Sequence, residues 1–280
     1  MERPFQLVDV FAEQPFLGNP LAVVHQADDL SAEAMQAITR WINFSETAFL
    51  LRPTANEADY RVRIFTPARE LPFAGHPTLG SCQAWLNQGG RPRNAAKIVQ
   101  ECAAGIIPLT RQDNTLAFAA PPLLRTGPVE EAKLAELAGV MRVDQSRFVA
   151  SQWVDNGPGW VVVMLESAEA VLAVEPVRQH PTQLDLGIVG PYPAGSGAAF
   201  ELRALFTNQN GDVGEDPVTG SLNASVAQWL LSSGRATAPY TASQGTRLGR
   251  RGRVSISQDA DGTVWVGGRA TTLFQGTTTF

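Results

Sequence analysis

Three acid/base side chains stand in contexts that could do proton chemistry. Glu46 lies in Asn43-Phe-Ser-Glu-Thr-Ala-Phe-Leu-Leu51, where polar residues 45 to 47 are set between apolar ones. If residues 45 to 51 form a strand, alternate side chains share a face, and Glu46 stands with Phe44, Ala48 and Leu50. A carboxylate on an apolar face is pushed toward its neutral form, into the range where it can both take and return a proton near neutrality. The plainer alternative is a glutamate on an edge strand, facing water. His76 and Asp216 each precede a proline, in His76-Pro-Thr-Leu-Gly-Ser81 and Asp216-Pro-Val-Thr-Gly-Ser221. Proline suits the first helical position, which has no use for an N–H, so both residues are expected to be N-caps. The free N–H groups of a first helical turn, with about half a positive charge, suit a carboxylate or phosphate. Capping alone would explain Asp216. It would not explain His76, because histidine is a poor cap, and this favours chemistry there. The Gly80-Ser81 and Gly220-Ser221 pairs are expected to serve close packing first, with their hydroxyls available to a substrate.

The elements that must position these residues occur twice. Arg63-Ile-Phe-Thr66, a polar loop and His76-Pro recur as Arg203-Ala-Leu-Phe-Thr207, a polar loop and Asp216-Pro, with the prolines 140 positions apart, half of the 280-residue chain. Both copies run into apolar stretches of helical character, 81 to 86 and 221 to 231. A fainter match joins Asn19-Pro-Leu-Ala-Val-Val24 to Gly157-Pro-Gly-Trp-Val-Val-Val163, a turn feeding a β-branched strand. Ser31 is the expected N-cap of a helix with Met35, Ile38, Trp41 and Ile42 inward. Residues 129 to 138 form a second helix, with Leu134 and Leu137 inward and Gly139 as its C-cap. The Pro-rich stretch 119 to 124 marks the best boundary, dividing the chain into α/β halves 1 to 121 and 122 to 280, the last ten or so residues free to return to the first. Residues 170 to 200 are dominated by loop formers. If the halves pack about a pseudo-two-fold axis, both helix starts can face one cleft.

Composition narrows the function. At 44% hydrophobic and 18% charged, the chain can bury one large core or two smaller ones. A net charge of -5, with the main basic cluster at Arg247 to Arg253 inside a glycine-punctuated turn, argues against nucleic acid. The opening MERPFQLVDVF has no unbroken apolar core and no stretch of about 18 apolar residues follows, so a soluble cytoplasmic protein is expected, without a membrane partner. Two cysteines, Cys82 and Cys102, make no CxxC pair, and Cys82 on a predicted helix is expected to pack. His25, His76 and His180 lack partners at ligand spacing, so no metal is expected.

Val8-Asp-Val-Phe11, Phe16-Leu-Gly-Asn-Pro-Leu-Ala-Val-Val24, Phe44-Ser-Glu-Thr-Ala-Phe49, the run from Phe65 to Gly80 and Gly214-Glu-Asp-Pro-Val-Thr-Gly-Ser221 together resemble the phenazine-biosynthesis-like family. That resemblance implies a diaminopimelate epimerase-like fold of two pseudo-symmetric α/β halves, each a curled mixed sheet around a central helix. It implies that Glu46 removes a proton from one substrate carbon and returns it to another, that His76, Asp216 and Ser221 hold or polarise the substrate, and that the Gly75 and Gly220 backbones donate to its carboxylate. It also implies a homodimer and a small anionic substrate handled without metal or cofactor. Related epimerases carry cysteines at the two helix starts; His76 and Asp216 in their place speak against a two-thiol racemase. Two helix starts can stabilise the charge that develops when a carbonyl-adjacent or allylic C–H is deprotonated. The competing readings are an amino-acid or hydroxy-acid epimerase, and a ligand-binding protein without catalysis.

Overall fold

In the computed structural model, which describes residues 2–94 and 97–280, the first unit runs to Ala119 and takes back Gly267–Phe280. Its elements are β1 (Glu2–Val10), β2 (Asn19–Val24), α1 (Ala32–Ile42), β3 (Thr47–Leu51), β4 (Tyr60–Phe65), β5 (Glu70–Leu71), α2 (Gly75–Asn87), β6 (Ile98–Cys102), β7 (Gly105–Gln112) and β8 (Thr115–Ala119). β1 and β2 are antiparallel, β2 and β3 parallel, β3 and β4 antiparallel, and β4 and β6 parallel, after which β6, β7 and β8 form a meander. The last strand of the chain, Val264–Thr279, pairs with β1 and with β8, which closes these strands into a ring. α2 fills it, packing against β1, β2, β3, β4 and β8, and Gly75 through Cys82 are all buried. A helix enclosed on every side needs apolar or small residues all round rather than a stripe. Gly80 has the packing role expected of it, since a Cβ there would lie 2.5 Å from Leu21 Cδ2.

α1 begins as the sequence predicts, with Ser31 Oγ accepting from the Ala34 N–H at 3.2 Å. Its inward face differs. Met35 is buried but Trp41 is 87% exposed. Thr39 is the residue turned inward in its place, its hydroxyl satisfied by the Met35 carbonyl at 2.9 Å. The inward row is therefore Met35 and Thr39, with Ile38 partly buried beside them, and Trp41 lies off it.

The second unit, Ala120–Val266, contains β9 (Arg125–Gly127), α3 (Glu131–Met141), β10 (Ala150–Asp155), β11 (Val161–Met164), α4 (Ala168–Ala173), β12 (Asp185–Pro191), β13 (Phe200–Thr207), β14 (Val213–Asp216), α5 (Gly220–Ser232), β15 (Tyr240–Gln244), β16 (Gly252–Gln258) and the start of β17 (Val264–Thr279). It repeats the first unit pairing for pairing: β10 and β11 antiparallel, β11 and β12 parallel, β12 and β13 antiparallel, a β13–β14 hairpin, β13 and β15 parallel, β15 and β16 antiparallel. Its core joins Leu137, Val161, Val163, Leu186, Ile188 and Leu205. α3 does not stop at Gly139. It runs on to Met141 and ends on Arg142 at φ 54°, because Val140 and Met141 are buried and their packing outweighs one helical glycine. Residues 170 to 200 are also more regular than their composition suggests. β12 is buried through Leu186–Gly190, and a Cβ on Gly187 would lie 2.5 Å from Leu222 Cδ1, so this glycine serves close packing in a strand and not a loop.

Candidate active site

In the first unit, three element starts converge on one polar group. α1 ends at Asn43, held at φ 58° with its N–H donating to the Thr39 carbonyl, and the chain then passes through Phe44, Ser45 and Glu46 before β3 begins. Glu46 therefore precedes the strand rather than lying in it. β3 is buried on both faces at Thr47, Ala48, Phe49 and Leu50, so the one-sided apolar face expected for Glu46 does not exist. The carboxylate is nonetheless largely shielded, at 15% exposure, and its Oε2 lies 3.6 Å from His76 Nε2, on a side chain that is 3% exposed. Behind the ring, Asn19 Nδ2 lies 3.2 Å from His76 Nδ1. An amide nitrogen can only donate, so Nδ1 accepts and the proton of a neutral imidazole sits on Nε2, toward Glu46.

Asn19 is fixed by what precedes it. The Asp9 carboxylate accepts from the Leu17 N–H at 3.2 Å and the Gly18 N–H at 2.9 Å, folding this loop back onto β1. A Cβ on Gly18 would stand 2.1 Å from the Val10 carbonyl oxygen, so only glycine lets the chain approach so closely. Neither cysteine of this unit competes for the chemistry. Cys82 is buried, and desolvation pushes its thiol up to about 12, while burial also raises that of Cys102.

In the second unit, Asp216 is the last residue of β14, and its Oδ2 accepts from the Thr219 hydroxyl at 2.6 Å. Thr219, not Asp216, is the N-cap of α5. Ser221 is nearly buried. Its Oγ accepts from Trp160 Nε1 at 3.1 Å, and its carbonyl from Asn156 Nδ2 at 2.9 Å. Gln244, fully buried on β15, ties the loop together. Its Oε1 accepts from the Thr219 N–H at 3.0 Å and Asn223 Nδ2 at 2.8 Å, while its Nε2 donates to the Asp216 carbonyl at 3.1 Å and the Thr219 hydroxyl at 2.9 Å. The N–H groups of Gly220 and Ser221, at the first two helical positions, have no intrahelical acceptors.

The helix starts correct the expected N-cap assignments. α2 begins at Gly75 with Ala74 as N-cap, so His76 is its second residue; α5 begins at Gly220, and Asp216 lies outside the helix altogether. From Gly75 to Gly220 the offset is 145, against 140 from Arg63 to Arg203, because the β13–β14 hairpin, with a longer ladder and a slightly longer loop, holds five more residues than the β4–β5 hairpin. Ladder registers fix the match: Ile64 faces Leu71 and Phe65 faces Glu70, as Ala204 faces Asp216 and Leu205 faces Glu215. The true repeat is thus Leu71-Pro-Phe-Ala-Gly-His76 with Asp216-Pro-Val-Thr-Gly-Ser221, in which Gly75 matches Gly220 and His76 matches Ser221. An ion pair repeats with it. Arg63 grips Glu70 at 2.7 Å and Arg203 grips Glu215 at 2.8 Å, the latter pair nearly buried. Of the predicted site residues, the structure brings Glu46 and His76 together in one unit, with Gly75 adjacent in sequence, and places Asp216, Gly220 and Ser221 along one loop and helix start of the other. Asn19, Trp160, Thr219 and Gln244 were missed; the Asn19-Pro turn was visible in sequence, but its side-chain contact to a residue 57 positions away was not. Among the described residues, no group of three or more His, Cys, Asp or Glu side chains is placed to hold a metal, and no helix is long and apolar enough to cross a membrane.

The family described as phenazine biosynthesis-like protein matches residues 8–276. Antisense-enhancing sequence 1 of Schizosaccharomyces pombe is 36% identical over 293 residues, covering 98% of each chain. Trans-2,3-dihydro-3-hydroxyanthranilate isomerase of Pseudomonas aeruginosa is 35% identical over 266 residues, covering 92% of this chain and 91% of the relative. Among solved structures, the phenazine biosynthesis protein of the PhzF family from Bacillus anthracis superposes with a TM-score of 0.84 at 21% identity, with both chains covered in full, a likeness of fold.

Proposed function

Because the chain belongs to the phenazine biosynthesis-like family and is an isomerase, we propose that it moves a proton within a small carboxylate-bearing, cyclic metabolite, with Glu46 as the acid and base. The observation that carries this reading is the shielded Glu46–His76 pair, 3.6 Å apart, with the imidazole oriented by Asn19. Glu46 takes a proton from an allylic or carbonyl-adjacent carbon, the C–H electron pair shifts into the conjugated system, and the same carboxyl returns the proton to another carbon. Nothing is gained or lost overall, so the step needs no oxidant or co-reactant. His76 Nε2–H donates to a substrate oxygen on which charge develops, a role that an oriented donor in a water-poor setting performs well. Asp216, Ser221 and the N–H groups of Gly75 and Gly220 are assigned to holding the substrate. The thiol chemistry of two-cysteine racemases has no candidate here, since Cys82 and Cys102 are buried and their thiols are raised.

The isomerase named for Pseudomonas aeruginosa makes trans-2,3-dihydro-3-hydroxyanthranilate the first substrate to try. In deuterated water, turnover should place solvent deuterium, if any, at the carbon that gains the proton and leave the starting stereocentre unlabelled. Label at an otherwise unchanged stereocentre would mean epimerisation and overturn the reading. A cytoplasmic homodimer completes the proposal, and light scattering on the purified chain tests the dimer.

A further inference from the structure

In the second unit, the turn between β15 and β16 gathers positive charge against the loop that leads into α5. Gly245-Thr-Arg-Leu-Gly-Arg-Arg-Gly252 folds into a 3-10 turn, with Gly245 at φ 90° and Gly249 at φ 69°. Arg250, Arg251 and Arg253, with Tyr192, Ser243 and Thr246, line a depression of about 380 Å³. Arg247 is engaged elsewhere, in an ion pair with Glu175. The lining is organised. Arg253 Nη1 donates to Ser243 Oγ at 3.0 Å and to the Gly252 carbonyl at 2.8 Å, which fixes one guanidinium. The Tyr192 hydroxyl donates to Glu201 Oε2 at 2.8 Å, so the fully buried carboxylate next to the depression is already engaged. Arg251, at an exposed position, and the oriented Arg253 present guanidinium donors to this concavity on a chain of net charge -5.

Guanidinium forks match phosphate oxygens in geometry as well as charge. The volume lies within the roughly 300 to 1,000 Å³ usual for small-molecule pockets. The same strand also serves the candidate site. Successive residues of a strand point to opposite faces, so Ser243 lines the depression while Gln244 reaches Asp216, Thr219 and Asn223. The turn rests directly on that loop: a Cβ on Gly245 would lie 2.5 Å from the Pro217 carbonyl oxygen, and one on Gly252 would lie 2.5 Å from Val218 Cγ2.

We propose that this arginine-lined depression binds a phosphate group, free or carried by a small metabolite, at a site distinct from the α5 helix start but packed against its back. Isothermal titration of the full chain with inorganic phosphate, and separately with glycerol 3-phosphate, at ionic strength held constant with chloride, tests it. Saturable binding is expected for at least one, weakened about tenfold or more in Arg251→Gln and in Arg250→Gln/Arg251→Gln, and unchanged in Arg247→Gln. Tighter binding of the ester would identify a phosphorylated metabolite as the occupant; tighter binding of inorganic phosphate would identify the free ion. No saturable binding of either, or an equal loss in Arg247→Gln, would overturn the proposal. Should the double variant fail to fold by circular dichroism, Arg251→Gln alone, at an exposed position, carries the test.

Discussion

Asn19 determines which face of His76 presents a proton. Its amide gives a hydrogen to Nδ1 and leaves Nε2–H directed at Glu46, so an acceptor in its place would invert the imidazole. Asn19→Asp is predicted to lower kcat by tenfold or more with little change in KM, and to move the ring proton to Nδ1 in nitrogen NMR spectra; an unchanged tautomer would refute this role. His25 illustrates the opposite use of burial. Desolvation lowers its pKa to about 4, below the ordinary 6.5, so it is carried neutral in the fold, with its Nε2 3.2 Å from Gln6 Nε2. The unfolded chain binds the proton more readily, so the stability this group contributes is complete above pH 6.5 and is lost as pH falls from about 6.5 to about 4. The loss is about 3 kcal/mol at most, and urea midpoints of the wild type and His25→Gln across that window should differ in slope accordingly. At this scale the sequence was informative where a residue type was out of place. A histidine at a helix start and a glutamate among apolar neighbours both stood out, whereas Asn19 and Gln244 are ordinary polar residues until the fold brings their partners to them.

At the scale of elements, the chain offers two Pro-x-x-Gly registers in its first half, Pro72 to Gly75 and Pro77 to Gly80, and only the first matches Pro217 to Gly220 in space. Letter similarity favours the second, because it extends through Ser81. Pairing registers favour the first, because a helix must start where the preceding hairpin releases the chain, and the longer β13–β14 hairpin moves that point by five residues. The same logic explains Trp41, which fits a helical spacing but loses the inward row to Thr39. In the second unit the α5 start depends on Gln244. Gln244→Leu keeps the volume but strips acceptors from the Thr219 N–H and Asn223, both buried, and is predicted to cost about 2–5 kcal/mol with a matching fall in the thermal midpoint. A melt indistinguishable from the wild type would show that the loop holds its shape without it.

For the whole molecule, the repeat was legible because strand, hairpin and helix recur in order, and the return of the last ten or so residues to the first half was expected; that they pair with β1 was not, since such a pairing joins opposite ends of the chain. β17 pairs with β1 from Thr279 opposite Glu2 to Ala270 opposite Val10, so the first unit is sealed by a strand distant in sequence from the rest of it. Deleting residues 271 to 280 removes most of those pairings and bares β1 as an edge; the shortened chain is predicted to aggregate, which size-exclusion chromatography would reveal, and a well-behaved, cooperatively melting product would contradict this. The central claim, that Glu46 is the proton carrier, is tested most directly by Glu46→Gln, which keeps shape and loses only the titrating oxygen. Turnover of the proposed substrate, followed by NMR, should fall about 100-fold or more while the variant still binds that substrate; turnover near the wild-type rate would contradict the account.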